Sequence, residues 1–293
     1  MFKLFVKSSF DCSKIVTQQY STSFSLGIKT LHPSLHAPIY GIYGFVRYAD
    51  EIVDTFHDFD KKYLLDKFKA DAYEAIKSGI SLNPILFAFQ KVVNDYKIPL
   101  NLVEAFFKSM EMDLYRTGYG REGYDEYIYG SAEAVGLMCL RVFVNGDETL
   151  FKSLEPAACA LGAAFQKVNF LRDMKSDFDE RGRVYFPGVN FNNFGEEAKQ
   201  MIEEEIAYDF SMAYQGIIRL PDTAKAGVML AYKYYLRLFN QIRHTPVSRI
   251  REARLRVPDF EKMLILLSTI TGETLRNTAM RLFQGGQPLN RAY

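Results

Sequence analysis

The chain has 293 residues, of which 36 are basic and 35 acidic, and this balance disfavours a nucleic-acid-binding protein that relies on overall positive charge. The three cysteines lie far apart, and the four histidines lack the spacing of metal ligands. Both observations argue against a zinc site or a dithiol site. No apolar run approaches the about 20 residues of a transmembrane helix, and residues 1–14 lack the apolar core of a signal peptide.

The periodicity of the apolar residues predicts helices along the whole chain. Between clusters rich in Gly, Pro and Asn, apolar positions recur three and four residues apart, and strict alternation of the strand type is scarce. Asn83-Pro84 and Glu155-Pro156 predict helix starts with Pro at the first helical position. With no linker and no internal repeat, we predict a single all-α domain over residues 1–293 with roughly eight to ten helices.

The first acidic pair, Asp50 and Asp54, lies one helical turn apart in an otherwise apolar segment. Repulsion between two such charges costs a few tenths of a kcal/mol on an exposed helix. At ~6 Å and an effective dielectric of ~20 it approaches 3 kcal/mol, so a cation or water must offset it. At 100° per residue the polar stripe comprises Tyr43, Arg47, Asp50 and Asp54, and the opposite, apolar face comprises Phe45, Ala49, Ile52 and Phe56.

The second acidic pair, Asp173 and Asp177, repeats this spacing. It shares a helix face with the amides Gln166 and Asn169, and Arg172 is adjacent to it. A single pair of this spacing is more often a solvated helix face. Here the helix face opposite each pair is apolar and an arginine lies beside each pair, which favours a functional site.

A third match to the spacing, between Asp54 and Asp58, is interpreted as the exposed end of the first helix, because it leads into the charged segment HDFDKK at 57–62. Carboxylates facing each other in a helical bundle would be too costly unless a cation paired with them. Magnesium takes oxygen ligands and is often completed by substrate phosphates. The two pairs therefore predict a Mg²⁺ site for a departing diphosphate, with Mn²⁺ as an alternative.

Other patterns narrow the chemistry. The sequence contains no GxxxxGK[ST], GxGxxG, GxSxG or HExxH motif, which disfavours nucleotide-dependent phosphoryl transfer, hydride transfer and acyl hydrolysis. The 24 Phe and 19 Tyr residues mostly fill the core, yet they could also line an apolar tunnel for an isoprenoid tail.

Four segments together resemble the squalene/phytoene synthase family in order and separation, over about residues 10–275. This resemblance implies an isoprenoid-synthase helical bundle with a central cavity and the two acidic pairs on opposite walls. The segments are YSTSF (20–24), RYADEIVD (47–54), YGSAEAVGLM (129–138) and QKVNFLRDMKSDFDERGRVYFP (166–187).

The resemblance also implies roles for individual residues. The ligands of the Mg²⁺ cluster would be Asp50, Asp54, Asn169, Asp173 and Asp177. The diphosphate or prenyl chains would contact Ser21, Ser23, Phe24, Tyr43, Arg47, Gln166, Arg172, Arg183, Tyr185 and Tyr235, and Tyr129 would lie near a cyclopropyl intermediate. Helix capping is the alternative for Ser21 and Ser23, and core packing is the alternative for Tyr235.

Two segments depart from the family pattern. Glu133 stands where a small residue is usual, and the basic stretch 243–258 matches only loosely. This stretch could close the diphosphate site or touch anionic lipid, although a solvated helix face is the simpler interpretation.

The DEIVD and VGLM segments are more typical of phytoene synthases than of squalene synthases. We therefore expect two geranylgeranyl diphosphates to be joined head to head, through a cyclopropylcarbinyl diphosphate, to phytoene without NADPH. The general base would be the released diphosphate or Tyr129. The alternatives are a squalene or dehydrosqualene synthase using farnesyl diphosphate, with NADPH in the squalene case, and a non-catalytic assembly protein of the same fold. The intact acidic pairs speak against the latter.

The expected partners are prenyl diphosphate substrates and not nucleic acid. An odd number of cysteines suits a reducing compartment, and we expect a cytoplasmic protein that could touch a membrane peripherally. The oligomeric state follows from no pattern in the sequence.

Overall fold

The computed structural model describes residues 1–189, 191, 194–252, 254, 255, 257, 264–266, 268 and 269. Within this part the regular structure is helical, apart from an isolated parallel bridge between Gly118 and Val184. The prediction of an all-α fold is therefore confirmed. The helices are α1 (Phe2–Tyr20), α2 (Thr22–Thr30), α3 (Pro33–Asp54), α4 (Lys61–Ser78), α5 (Pro84–Tyr96), α6 (Leu100–Tyr115), α7 (Arg121–Ile128), α8 (Ala134–Phe143), α9 (Glu148–Arg181), α10 (Glu196–Ile217), α11 (Asp222–Arg243) and α12 (Val247–Ile250), and a π-helical turn (Tyr129–Glu133) joins α7 to α8.

These twelve α-helices of the described residues exceed the predicted eight to ten. Short elements such as the one-turn α12 leave no periodic signal in the sequence, and the π-helical turn divides one continuous helix into two. No helix in the described ranges combines the length and the apolarity needed to cross a membrane.

One of the two predicted helix starts is confirmed and the other is wrong. Asn83 caps α5, since its side-chain oxygen accepts from the Ile85 amide at 3.0 Å. Pro156, in contrast, lies inside α9, which begins earlier because Asp147 accepts from the Leu150 amide at 2.9 Å. A proline in this position removes one backbone hydrogen bond, and the helix tolerates the loss.

The core is built around α3. Phe45 and Ala49 are fully buried there, and the Phe45 ring stacks on Phe89 with centroids 3.7 Å apart. This face of α3 packs against α1, α5 and α6. Phe56, predicted to continue the face, is instead exposed, because α3 ends at Asp54 and the chain turns away before reaching it.

The end of α9 brings distant segments together. Gly182 takes a left-handed conformation (φ +63°) that ends the helix, a conformation that favours glycine. The chain then runs beside residues 117–118, where the Val184 amide donates to the Thr117 carbonyl at 3.0 Å. The Arg183 amide donates to the Asp177 carbonyl at 3.0 Å. Arg183 is thereby fixed next to the ends of α6 and α9.

The contact between the π-helical turn and α6 leaves no room for a side chain at Gly130. A Cβ atom there would lie 2.2 Å from the Ala105 carbonyl oxygen, which is backbone and cannot move freely. We expect Gly130→Ala to lower the free energy of unfolding by about 1–3 kcal/mol, the usual cost of overpacking. Chemical denaturation measures this cost. The control is Gly120→Ala, where a Cβ would meet nothing within 4 Å, and an equal loss in both variants would contradict the close contact.

Candidate active site

A deep apolar tunnel of about 350 Å³ lies between helices α2, α3, α8, α9, α10, α11 and the π-helical turn. Its walls are mostly aliphatic and aromatic side chains, and Gln166 and Asn169 supply its only amides among the described residues. Such a space accepts a long hydrocarbon chain and offers it few polar contacts.

A second, wider cavity of about 540 Å³ forms the mouth of the tunnel. The two spaces adjoin, since Phe24, Tyr43 and Tyr235 line both of them. Arg172 and Arg254 place positive charge in the wall of the mouth. The combination of a basic mouth and an apolar interior fits an amphipathic anion with a long tail.

Asp173 of the second acidic pair contacts the two arginines in the wall of this mouth. Asp173 forms two hydrogen bonds with Arg172, at 2.9 and 2.5 Å, and its Oδ1 lies 2.7 Å from Nε of Arg254. Arg254 belongs to the basic stretch 243–258, so at least this exposed residue of the stretch contacts Asp173. Asp177, one turn further along α9, is buried.

The first acidic pair lies at the end of α3. Asp54 Oδ1 is 3.3 Å from Nη1 of Arg183. Asp50 is half-buried, and this burial, together with the charges of Asp54 and Asp113, raises the pKa of Asp50 to about 7, although Arg47 partly opposes the shift. A second negative charge is therefore costly at this place, and a bound cation would relieve that cost.

Arg183 connects the two acidic segments. Its guanidinium contacts Asp54 and lies 3.2 Å from Asp113 Oδ1, while its amide holds the carbonyl of Asp177. It also donates to the Tyr185 hydroxyl at 3.4 Å, and the Tyr185 ring stacks on the buried Phe170 with centroids 4.0 Å apart. The ends of α3, α6 and α9 therefore meet at a single arginine.

Asp113 is the functional candidate that sequence reasoning missed. It is buried on α6, and its Oδ2 accepts a hydrogen bond of 2.8 Å from the Tyr127 hydroxyl. The signal was present, because Asp113 falls on the same helix face as the buried Phe106 and Ser109. A carboxylate on a buried face needs partners, and these partners come from segments distant in sequence.

The hydrogen bond between Tyr127 and Asp113 should contribute measurably to stability. We expect Tyr127→Phe to lower the free energy of unfolding by about 1–3 kcal/mol, since a buried carboxylate oxygen loses a donor. Thermal or urea unfolding gives the value. Tyr115→Phe is the matched control, because Tyr115 is 68% exposed and its hydroxyl is free to bond to water; equal effects of the two substitutions would refute the assignment.

Of the other residues of the polar stripe on α3, Tyr43 lines the mouth of the tunnel and Arg47 contacts Tyr20, which also lines it. Tyr43 stacks on Phe24 with ring centroids 4.8 Å apart. Arg47 forms an ion pair with Glu51, and its guanidinium lies over the Tyr20 ring, 4.4 Å from the centroid. Glu51 and Tyr20 therefore hold the Arg47 guanidinium in place.

For Ser21 the capping interpretation is correct. Its Oγ accepts from the Phe24 amide at 3.2 Å and begins α2, and the residue also lines the mouth. The side chain of Ser23 lies outside the described part of the structure. Tyr235 donates to Asn169 Oδ1 at 3.2 Å and lines both cavities, so it is more than a core residue.

Tyr129 is not brought to these cavities. It is 36% exposed and lies in the wall of neither the tunnel nor the mouth. Tyr127 faces Asp113 inside the protein, and a residue two positions further along a helix points to nearly the opposite side. Glu133, at the end of the π-helical turn, is half-buried; burial raises its pKa, and a hydrogen bond with Cys159 partly offsets this.

The donors present fit a hard divalent cation by their chemistry. Asp50, Asp54, Asp173, Asp177 and Asn169 offer only oxygen atoms, the ligands Mg²⁺ prefers. Among the described residues no three acidic, histidine or cysteine side chains converge closely enough to hold a metal by themselves. Arginines neutralise Asp54 and Asp173 instead. Metal binding would therefore need oxygen ligands from a bound phosphate and a shift of these arginines.

The helical bundle with its apolar tunnel has the isoprenoid-synthase class of fold. Within that class the chain belongs to the squalene/phytoene synthase family, whose family model matches residues 17–261. Enzymes of this family are prenyltransferases that join isoprenyl diphosphates head to head. This confirms the resemblance of the four sequence segments.

The similarity to individual relatives is modest. The chain is 26% identical over 287 residues to a phytoene synthase from Arthrospira platensis, with 88% of this chain and 91% of the relative covered. It is 30% identical over 181 residues to a 15-cis-phytoene synthase from Paracoccus sp., with 58% and 57% covered. Among solved structures, a dehydrosqualene synthase in complex with a ligand superposes with a TM-score of 0.78 at 18% identity, covering 91% of this chain and 96% of that one.

Proposed function

We propose that this protein is a phytoene synthase that condenses two geranylgeranyl diphosphates head to head in the presence of Mg²⁺. The observation that carries the proposal is that a mouth with Arg172 and Arg254 in its wall adjoins the apolar tunnel. The names of the relatives similar in sequence support the longer substrate.

In this proposal the polar residues contact the diphosphate end of the substrate. Gln166 and Asn169 are amides in the tunnel wall, and we propose that they orient the first allylic carbon. Arg172 and Arg183 are proposed to transfer from the aspartates to the diphosphate oxygens when the substrate binds. Bound Mg²⁺ would supply the charge that stabilises the departing diphosphate.

The aromatic side chains would protect the cation that remains after the diphosphate departs. Phe24, Tyr43, Phe165 and Tyr235 stand around the junction of the mouth and the tunnel. Their ring faces attract a positive charge, and their bulk excludes water that would otherwise capture it. Head-to-head condensation needs such protection until the cyclopropyl product has formed and rearranged.

A hydrocarbon assay tests the proposal. Purified protein is incubated with Mg²⁺ and either geranylgeranyl or farnesyl diphosphate, with and without NADPH. We expect phytoene from geranylgeranyl diphosphate without NADPH. The structural similarity to a dehydrosqualene synthase makes the farnesyl-derived hydrocarbon the second candidate; a product from farnesyl diphosphate alone would replace the first proposal with this one.

A further inference from the structure

Arg183 is a buried cation that contacts two aspartates, and these two aspartates differ in their surroundings. Its Nη1 atom lies 3.3 Å from Asp54 Oδ1 and 3.2 Å from Asp113 Oδ1. The side chain of Asp54 is 30% exposed, whereas that of Asp113 is 5% exposed. Asp54 can therefore exchange the arginine for an ion from solvent, while Asp113 has little access to such ions.

Asp113 contacts the Arg183 guanidinium at two points. Besides the contact of its carboxylate with Nη1, its backbone carbonyl accepts a hydrogen bond from Nη2 of the same arginine. Two contacts to one guanidinium fix its plane as well as its position, as in bidentate ion pairs. The other carboxylate oxygen of Asp113, Oδ2, accepts from the Tyr127 hydroxyl at 2.8 Å. Tyr127 and Arg183 therefore bind to different oxygens of this carboxylate.

Aromatic rings enclose the pair of Asp113 and Arg183. The Tyr185 ring stacks on Tyr119 with centroids 5.7 Å apart, and the Tyr127 and Tyr185 centroids lie 5.2 Å apart. All three rings are buried. Burial, and then the charge of Asp113, raise the pKa of Tyr119 and of Tyr127, so both hydroxyls stay neutral. Within such a dry, neutral enclosure the attraction between the two charges is only weakly screened.

The Nη1 atom of Arg183 has more acceptors than protons. It carries two protons, and three acceptors lie within 3.4 Å of it, namely Asp54 Oδ1, Asp113 Oδ1 and the Tyr185 hydroxyl. Asp54 can therefore depart without leaving Nη1 unsatisfied. A buried guanidinium without any anionic partner would be costly, and Asp113 supplies that partner when Asp54 turns away.

We propose that Asp113 is a positioning residue, which keeps the Arg183 guanidinium in place at the end of α3 while Asp54 exchanges the arginine for a metal ion. The inference rests on the proposed function for the roles of Asp54 and Arg183. Asp113 itself contacts neither the metal nor the substrate in this proposal and acts only through Arg183.

The experiment is a double-mutant cycle on binding, without turnover. The wild type, Asp113→Asn, Arg183→Gln and the double variant are titrated calorimetrically with inorganic diphosphate in excess MgCl₂. We expect Asp113→Asn to bind about tenfold more weakly than the wild type, because Arg183 then pairs with Asp54 alone and competes with the metal ion. In the Arg183→Gln background the same substitution should change the affinity less than about twofold, since its effect acts through the arginine.

The sign of the effect separates positioning from simple electrostatics. Removing a negative charge near the site would by itself strengthen the binding of an anion, whereas loss of positioning weakens it. Tyr127→Phe is the control for a merely structural role, because it removes a hydrogen bond from Asp113 Oδ2 and leaves the contact of Oδ1 with Arg183. Its affinity for diphosphate should stay within about twofold of the wild type, and circular dichroism checks that every variant is folded.

Unchanged or stronger binding by Asp113→Asn would overturn the inference. Equal weakening by this substitution in both backgrounds would overturn it as well, because the effect would then not depend on Arg183. The titration contains no prenyl chain, so a different hydrocarbon product in the assay of function would change the proposed function and leave this result intact.

Discussion

Replacing Asp173 with asparagine is expected to reduce hydrocarbon formation by a factor of about 10²–10³, in the range found when one group that stabilises transition-state charge is removed. Asparagine keeps the size of the side chain but removes the charge that pairs with Arg172 and Arg254. In our proposal the same charge binds the metal that accompanies the diphosphate. Steady-state rates measured at saturating Mg²⁺ test the prediction.

Asp58→Asn is the matched control for this substitution. Asp58 lies one turn after Asp54 with the same spacing as the two acidic pairs, but it is exposed beyond the end of α3. We expect its activity to remain within about twofold of the wild type, because exposed surface substitutions rarely have larger effects. Circular dichroism of both variants should show the helical content of the wild type. Near-normal turnover of a folded Asp173→Asn would contradict the role of this residue.

Asp50→Asn is expected to make the metal-free protein more stable at pH 8 while abolishing its activity. The pKa of Asp50 is about 7 in the folded protein and about 3.9 in an unfolded chain. Since the folded state holds the proton more tightly, stability decreases as the pH rises from about 4 to about 7. Above pH 7 the full free-energy cost of the ionised Asp50 carboxylate remains. The substitution removes this cost.

The expected gain in the free energy of unfolding is of the order of 1–3 kcal/mol at pH 8 and much smaller at pH 4.5. Thermal unfolding in the presence of EDTA at both pH values measures it, and Asp58→Asn again serves as the control. A variant that is less stable than the wild type at pH 8 would show that the Asp50 carboxylate is stabilised, and not strained, by its surroundings. Stability and activity would then change in the same direction, contrary to our proposal.

Some of the site follows from sequence and some does not. The spacing of Asp50 and Asp54, and of Asp173 and Asp177, predicts two acidic faces because helical periodicity is local. The partners of these acids cannot be predicted in this way. Arg183 reaches Asp54 and Asp113 only because Gly182 reverses the chain and residues 183–185 run beside 117–118.

The same distinction explains the wrong helix start. Pro156 carries a strong local signal for a helix start, but the cap at Asp147 starts α9 earlier and packing against α8 and α10 maintains the helix through the proline. Tyr129 stays a predicted site residue, and its orientation depends on the π-helical turn that begins there. Neither packing nor a π turn has a pattern that a single sequence displays.

The sequence by itself determined the helical class of this protein, its two acidic faces and its family, since each of these depends on residues near one another along the chain. Only the tertiary structure decided that Asp113 joins the acids and that Arg183 contacts both Asp54 and Asp113. These features arise where the ends of separate helices meet. Their physical cause is the pairing of buried charges across long sequence distances, which no local pattern encodes.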